Sequence, residues 1–226
     1  MRPAAPGSHP LIHALLDLTG KSNAAVAIIA TATGDSSESL LNHYNRFPPS
    51  RCRRSHLALF NRTVVDVDAY LQGQDVIWVG GGNTVNLLAV WRAHGVDRAI
   101  RRAYENGVIL AGGSAGSLCW FEGGTTDSFD LNRLAPLNDG LGLLQGSHCP
   151  HFDGEAQRRP LYHELVGSGT LAPGIAIDDD AAAHYVDEQL REVLSSRAGA
   201  GAYLLTRESS GAKETPLPSR MVESVP

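Results

Sequence analysis

The sequence predicts an α/β fold: a mainly parallel sheet covered by helices. Two observations predict it. Short, wholly apolar runs alternate along the chain with stretches of helical period, the pattern of parallel strands joined by helical crossovers. Three of those runs end abruptly in glycine or small polar residues, as strands do where a loop leaves the C-terminal edge of a sheet. A length of 226 residues suits a single domain with a core of ordinary size.

Ala24-Ala25-Val26-Ala27-Ile28-Ile29-Ala30 reads as a strand buried on both faces. Asp35 and Glu38 then resemble a capping box opening a helix to about Tyr44. Leu57 to Phe60 reads as a short strand, and Val64 to Tyr70 alternates apolar with polar. Asp75-Val76-Ile77-Trp78-Val79 is a second buried strand, stopped by Gly80-Gly81-Gly82, after which Asn83 or Thr84 caps a helix to about Ala93. Asp97 caps another helix, ending near Asn106-Gly107. Val108 to Ala111 is a third buried strand, running straight into Gly112-Gly113-Ser114-Ala115-Gly116. Glu122 to Asp153 is rich in Gly, Asp, Asn and Pro and reads as loops, and Glu155 to Val166 as a helix. Four short strands follow, at 174–177, 184–186, 190–193 and 202–205. The polar tail, 209–226, is expected to be weakly structured, and 1–22 to be an atypical N-terminus.

Composition narrows the function. A formal charge of −5 supplies no basic footprint for nucleic acid and no cationic face for a membrane. Three cysteines without a C-x-x-C pair argue against a disulfide framework and for a reducing, cytoplasmic compartment. Met1 to Pro10 lacks the apolar segment of a signal peptide, and the apolar run Ala24 to Ala30 is far too short for a membrane span. Neither a nucleic acid nor a membrane is an expected partner. Oligomeric state is not legible.

Gly112-Gly113-Ser114-Ala115-Gly116 is G-x-S-x-G between a strand and a helix. Such a turn holds its serine in a strained backbone conformation and lifts the hydroxyl above the sheet edge, and bulkless neighbours let the turn close. The N–H of the next residue, Ala115, then opens a helix and suits a developing oxyanion. Gly80-Gly81-Gly82-Asn83-Thr84 fits neither a dinucleotide fingerprint nor a P-loop, since Val85 replaces the last glycine and no Gly-Lys-Ser/Thr follows. Its Gly81 or Gly82 N–H is a candidate second oxyanion donor, because loops at neighbouring strand ends share one crevice. Of nine histidines, His151 in Cys149-Pro150-His151-Phe152-Asp153 sits among loop signals just before a helix and is the candidate base. His148, Cys149, His151 and Asp153 lie too close in sequence to close a tetrahedral site unaided, so no metal is expected.

Taken together, Gly80 to Thr84, Gly113 to Gly116 and Pro150-His151-Phe152, in this order and spacing, resemble peptidase E, the aspartyl dipeptidases related to cyanophycinase. Trp120 to Ser128 and Ala176 to Ala182 are similar to further blocks of that family, and the likeness runs over roughly 23–205. It implies a three-layer sandwich with a twisted, mainly parallel sheet, similar to class I glutamine amidotransferases, in a single α/β hydrolase-type catalytic domain over 1–226. It implies a serine peptidase whose partner is a small peptide substrate, Asp-X, cleaved through an acyl-enzyme without a cofactor. Ser114 would be nucleophile and His151 base then acid, with Gly81 or Gly82 and Ala115 as oxyanion hole and Asn83 and Thr84 beside the substrate. The third, acidic member is placed at Asp127, with Asp130 and Glu122 as alternatives. Arg158 or Arg159 would read the aspartyl carboxylate. They point about 100° apart on a helix, and the expectation is Arg159 inward and Arg158 toward solvent. The family begins with a strand, for which Met1 to Pro10 shows no pattern, so either the start codon is misplaced or the sheet lacks one strand. Alternatives are a cyanophycinase-like or other small-amide hydrolase, or a catalytically silent binding protein on the same scaffold.

Overall fold

A computed structural model describes residues 9–223. They divide into two compact units, the first ending at Gly116 and the second running from Ser117 to Glu223.

The first unit alternates α1 (Pro10–Asp17), β1 (Ala24–Ile29), α2 (Ser37–Arg46), β2 (Cys52–His56), α3 (Val67–Gln72), β3 (Val76–Val79), α4 (Thr84–His94), α5 (Val96–Glu105) and β4 (Ile109–Gly112). Its four strands are parallel in the order β2-β1-β3-β4. All six residues of β1 are buried, as its unbroken apolar run requires. α5 buries Val96, Ala99, Ile100 and Ala103, spaced to form one stripe. The expected N-terminal stretch falls partly outside the described residues, since 1–8 are not among them. From Pro10 the chain is helical: Pro10 suits a first turn, and Ile12 and Leu16, four apart, pack with Ala24, Val26, Phe47 and Val76. Full burial of a leucine such as Leu16 contributes about 1.5–3 kcal/mol.

Three expectations shift in this unit. The strand lies at Cys52–His56, before Leu57, and its polar Arg53, Arg54 and Ser55 are tolerated because β2 is an edge strand. The stretch after Val64 becomes α3, because Asp66 caps it by accepting from the Ala69 N–H. α2 is capped by Ser36, while the Asp35 carboxylate accepts from the N–H groups of Leu59 and Phe60.

α6 (Ala115–Leu118) carries the chain into the second unit, which contains β5 (Phe121–Thr126), β6 (Ala135–Leu137), β7 (Leu144–Cys149), α7 (Arg158–Ser168), β8 (Gly174–Ile177), β9 (Ala181–Val186), β10 (Gln189–Ser195), β11 (Ala202–Glu208), β12 (Gly211–Pro216) and β13 (Ser219–Met221). A six-stranded sheet runs β12-β11-β8-β7-β5-β6, parallel through β8, β7 and β5 and antiparallel at both ends. A three-stranded sheet runs β13-β10-β9. The segment expected as loops thus holds three strands, whose glycines fit close strand contacts: a Cβ on Gly124 would strike the His148 carbonyl. The tail expected to be weakly structured forms β12 and β13, with 224–226 outside the described residues. β12 is held by its ladder with β11 and by Glu214, which pairs with Arg159 and His163 on α7.

Candidate active site

β3 and β4 run parallel with Val79 opposite Gly112. Two residues further on, Gly81 and Ser114 therefore emerge side by side. A Cβ built on Gly81 would lie 3.0 Å from Ser114 Cβ and 3.5 Å from its Oγ. Ser114 has φ +58°, the left-handed region that costs a side-chain-bearing residue roughly 1–2 kcal/mol. The flanking glycines make that turn sterically possible. A Cβ on Gly116 would collide with the Val79 carbonyl oxygen, and one on Gly112 would collide with the Gly116 carbonyl. Gly113, by contrast, faces open space. The loop beside it is pinned by Gly80 N–H to the Ile29 carbonyl and Asn83 N–H to the Ala32 carbonyl, 2.9 and 2.8 Å. Asn83 caps α4 by accepting from the Asn86 N–H, and Thr84 is buried in its first turn. Ala115, first residue of α6, is buried.

The candidate histidine lies in the second unit. β7 and β8 are parallel with Cys149 opposite Ala176, so the residues just past each strand end meet. His151 Nδ1 lies 2.6 Å from Asp179 Oδ1. A carboxylate there makes Nδ1 the protonated nitrogen of a neutral ring and leaves the Nε2 lone pair as a base. His151 too has a left-handed backbone, φ +54°. A Cβ on Gly154 would collide with Asp179 Oδ2, so that glycine lets the carboxylate approach.

The carboxylate on His151 is thus Asp179, where the sequence reading placed Asp127. Asp127 lies one residue past β5, the neighbour of β7 on its other side. The alternatives are engaged elsewhere: Asp130 accepts from the Asn132 N–H, and Glu122 from the Gly146 N–H. The signal that marks Asp179 is topological: it follows a buried strand that is parallel to the histidine's own strand.

The arginines are also arranged otherwise than expected. Arg158, at 3% exposure, is the buried one. It bonds Glu155 through Nε and the Thr125 carbonyl through Nη1, at 2.8 and 2.9 Å. Arg159 is the half-exposed one, its guanidinium taken by both oxygens of Glu214 and lying over the rings of Phe152 and Tyr203. The helix starts at Arg158, so its inward stripe begins there and continues through Tyr162, Leu165 and Val166.

The remaining nearby groups are structural. His148 is buried, its Nδ1 donating to the Ile175 carbonyl and its Nε2 meeting Ser117 Oγ. Burial, aided by the charges of Arg158 and His151, lowers it to about 4. Burial pushes the Cys149 thiol up to about 12, so this cysteine next to the histidine loop is no thiolate nucleophile. Cys52, Cys119 and Cys149 are buried, and none of them forms a disulfide. Among the described residues no three His, Cys, Asp or Glu side chains gather as metal ligands, and no helix is long and apolar enough to cross a membrane.

The model of peptidase family S51 matches residues 5–193. The chain belongs to peptidase family S51. The uncharacterized peptidase YgaJ of Bacillus subtilis (strain 168) is 44% identical over 204 residues, covering 90% of this chain and 87% of its own. Two solved structures share the fold of this S51 chain. A peptidase from an acI-B1 Actinobacterium has a TM-score of 0.63 at 17% identity, over 98% of this chain and 95% of its own. A putative peptidase E protein from Listeria monocytogenes EGD-e has a TM-score of 0.55 at 15% identity, over 95% of this chain and 97% of its own. The expected α/β fold with mainly parallel sheets is the fold of these proteins, and the resemblance to peptidase E is confirmed at the level of the S51 family.

Proposed function

We propose that this S51 peptidase is a serine dipeptidase that hydrolyses Asp-X. The observation that carries the reading is Ser114 itself: a serine held at φ +58° on a strand-to-helix turn, with Gly81 against its side chain. A strained residue that the surrounding packing enforces is the signature of a functional position. In the proposed reaction Ser114 Oγ attacks the scissile carbonyl carbon and its proton passes to His151 Nε2. The N–H groups of Gly81 or Gly82 and of Ala115 hold the oxyanion, and His151 then protonates the departing amino group of X. Water hydrolyses the acyl-enzyme by the same steps. Asp179 orients the ring of His151 and stabilises its charged form.

Preference for aspartate needs a cation, because a buried carboxylate left unpaired costs several kcal/mol. Arg159 has its fork filled by Glu214. Arg158 is the better reader, since its Nη2 makes no hydrogen bond among the described residues. Asn83 and Thr84 would border the substrate. The test is amino-acid release from a panel of Asp-X, Asn-X and Glu-X dipeptides, with fluorophosphonate labelling of Ser114. Labelling without Asp-X cleavage would keep the serine enzyme and overturn the specificity. No labelling and no cleavage would overturn both.

A further inference from the structure

Around Asp179 a second set of interactions stands outside the reaction just described. The Asp179 N–H donates to Asp153 Oδ1 at 2.9 Å. On the other side of the same residue, the Asp179 carbonyl accepts from Arg197 Nη2, also at 2.9 Å. That same nitrogen is paired with Asp153 Oδ2 at 2.5 Å, so Asp153, Arg197 and the backbone of Asp179 form a closed ring. Arg197 Nε reaches Asp180 Oδ2 at 3.2 Å, and the Asp180 carbonyl accepts from the Ser196 N–H, tying the same turn to the end of β10.

We propose that Asp153 and Arg197 are positioning residues: together they clamp the backbone of Asp179 so that its carboxylate meets His151 Nδ1. This inference rests on the reading of His151 as the base.

The geometry explains why a clamp is needed. The Asp179 side chain is 46% exposed and that of His151 30%, so little packing restrains either. Asp180, next in the chain, has φ +64°, so the turn is not one the backbone adopts unaided. A residue held at both its N–H and its C=O loses its freedom about both dihedrals, and its side chain is aimed accordingly. Asp153 stands two residues after His151, so the clamp anchors the acid to the base's own loop. Burial opposes it, yet the Asp179 N–H and the Arg197 guanidinium hold the Asp153 carboxyl below its usual range. Arg197 is the suitable cation because a planar fork serves a carboxylate and a carbonyl at once, which an ammonium on a flexible stem does less well.

The experiment uses the full chain and two readouts. Arg197→Gln and Asp153→Asn are each assayed on Asp-Leu. At metal-bound histidines, loss of an outer orienting partner costs about 10–100-fold, and by analogy kcat here should fall by roughly that factor with KM within about twofold. Arg197→Lys should recover part of the loss. The second readout is the downfield Nδ1–H proton resonance of His151 at low temperature, assigned by its disappearance in Asp179→Asn. It should weaken or vanish in both clamp variants while the rest of the spectrum stays folded. Wild-type kcat and an unchanged resonance in either folded variant would overturn the clamp. If the wild type cleaves no dipeptide, the proposed function fails, and the resonance alone still decides the clamp.

Discussion

His151 Nδ1 and Asp179 Oδ1 stand 2.6 Å apart across 28 residues of sequence. The sheet brings them together: β7 and β8 are parallel neighbours, Cys149 faces Ala176, and each residue follows its strand end by two positions. The same rule places Gly81 against Ser114, two positions beyond the Val79–Gly112 pair of β3 and β4. In each unit the candidate side chains stand where adjacent parallel strands end.

Asp179→Asn should lower kcat on Asp-Leu by roughly 10⁴, because the amide favours the wrong imidazole tautomer. Asp127→Asn, Asp130→Asn and Glu122→Gln should each change it less than about tenfold. Steady-state kinetics of the four variants decides the assignment, and a larger loss at Asp127 than at Asp179 would return the role to Asp127.

Ser114→Ala and Ser114→Gly should both lose on the order of 10⁶ in kcat. They should differ in stability. Alanine keeps the cost of φ +58° while glycine escapes it, so the glycine variant should be more stable by about 1 kcal/mol. Thermal unfolding of the pair measures this, and an alanine variant of equal or greater stability would deny the strain.

The two glycines around Ser114 should respond differently to a methyl group. Gly116→Ala drives a Cβ into the backbone of Val79 and should cost about 1–3 kcal/mol together with most of the activity. Gly113→Ala meets nothing within 4 Å and should stay within about 0.5 kcal/mol of wild type. Urea denaturation of both checks the contrast, which fails if the two variants are equally destabilised.

Acid should weaken the fold before the carboxylates titrate. Buried His148 has a folded pKa of about 4 against 6.5 for the free side chain, and burial beside Arg46 lowers His43 to about 4 as well. Between those values the unfolded chain binds the proton and the folded one does not. The stabilisation is therefore complete above pH 6.5 and is lost as pH falls toward 4, by about 3 kcal/mol for His148. His148→Gln cannot take the proton, so its stability should decline less between pH 7 and 4.5. Parallel unfolding profiles for variant and wild type would refute this.

By itself the sequence determined what is local. Unbroken apolar runs specify strands buried on both faces, so β1, β3 and β4 were legible, and so was the strained serine turn, because Gly112 to Gly116 carries its steric requirement in five consecutive residues. His151 was marked as a candidate by its loop and by the family resemblance. What lies between distant segments was decided only by the tertiary structure. Edge strands β2 and β12 are polar enough to read as loop or tail, because only half of an edge strand's surroundings is protein. Asp127 and Asp179 are both acids just past a strand end, on opposite neighbours of β7, and no local pattern states which one the histidine ring faces. Arg158 and Arg159 differ by one position and about 100° of helix. Which is buried depends on where α7 starts and on Glu214, a residue of the distant β12 that occupies Arg159. Strand order and register are set by packing over the whole chain, and they decide which of several chemically similar residues meet.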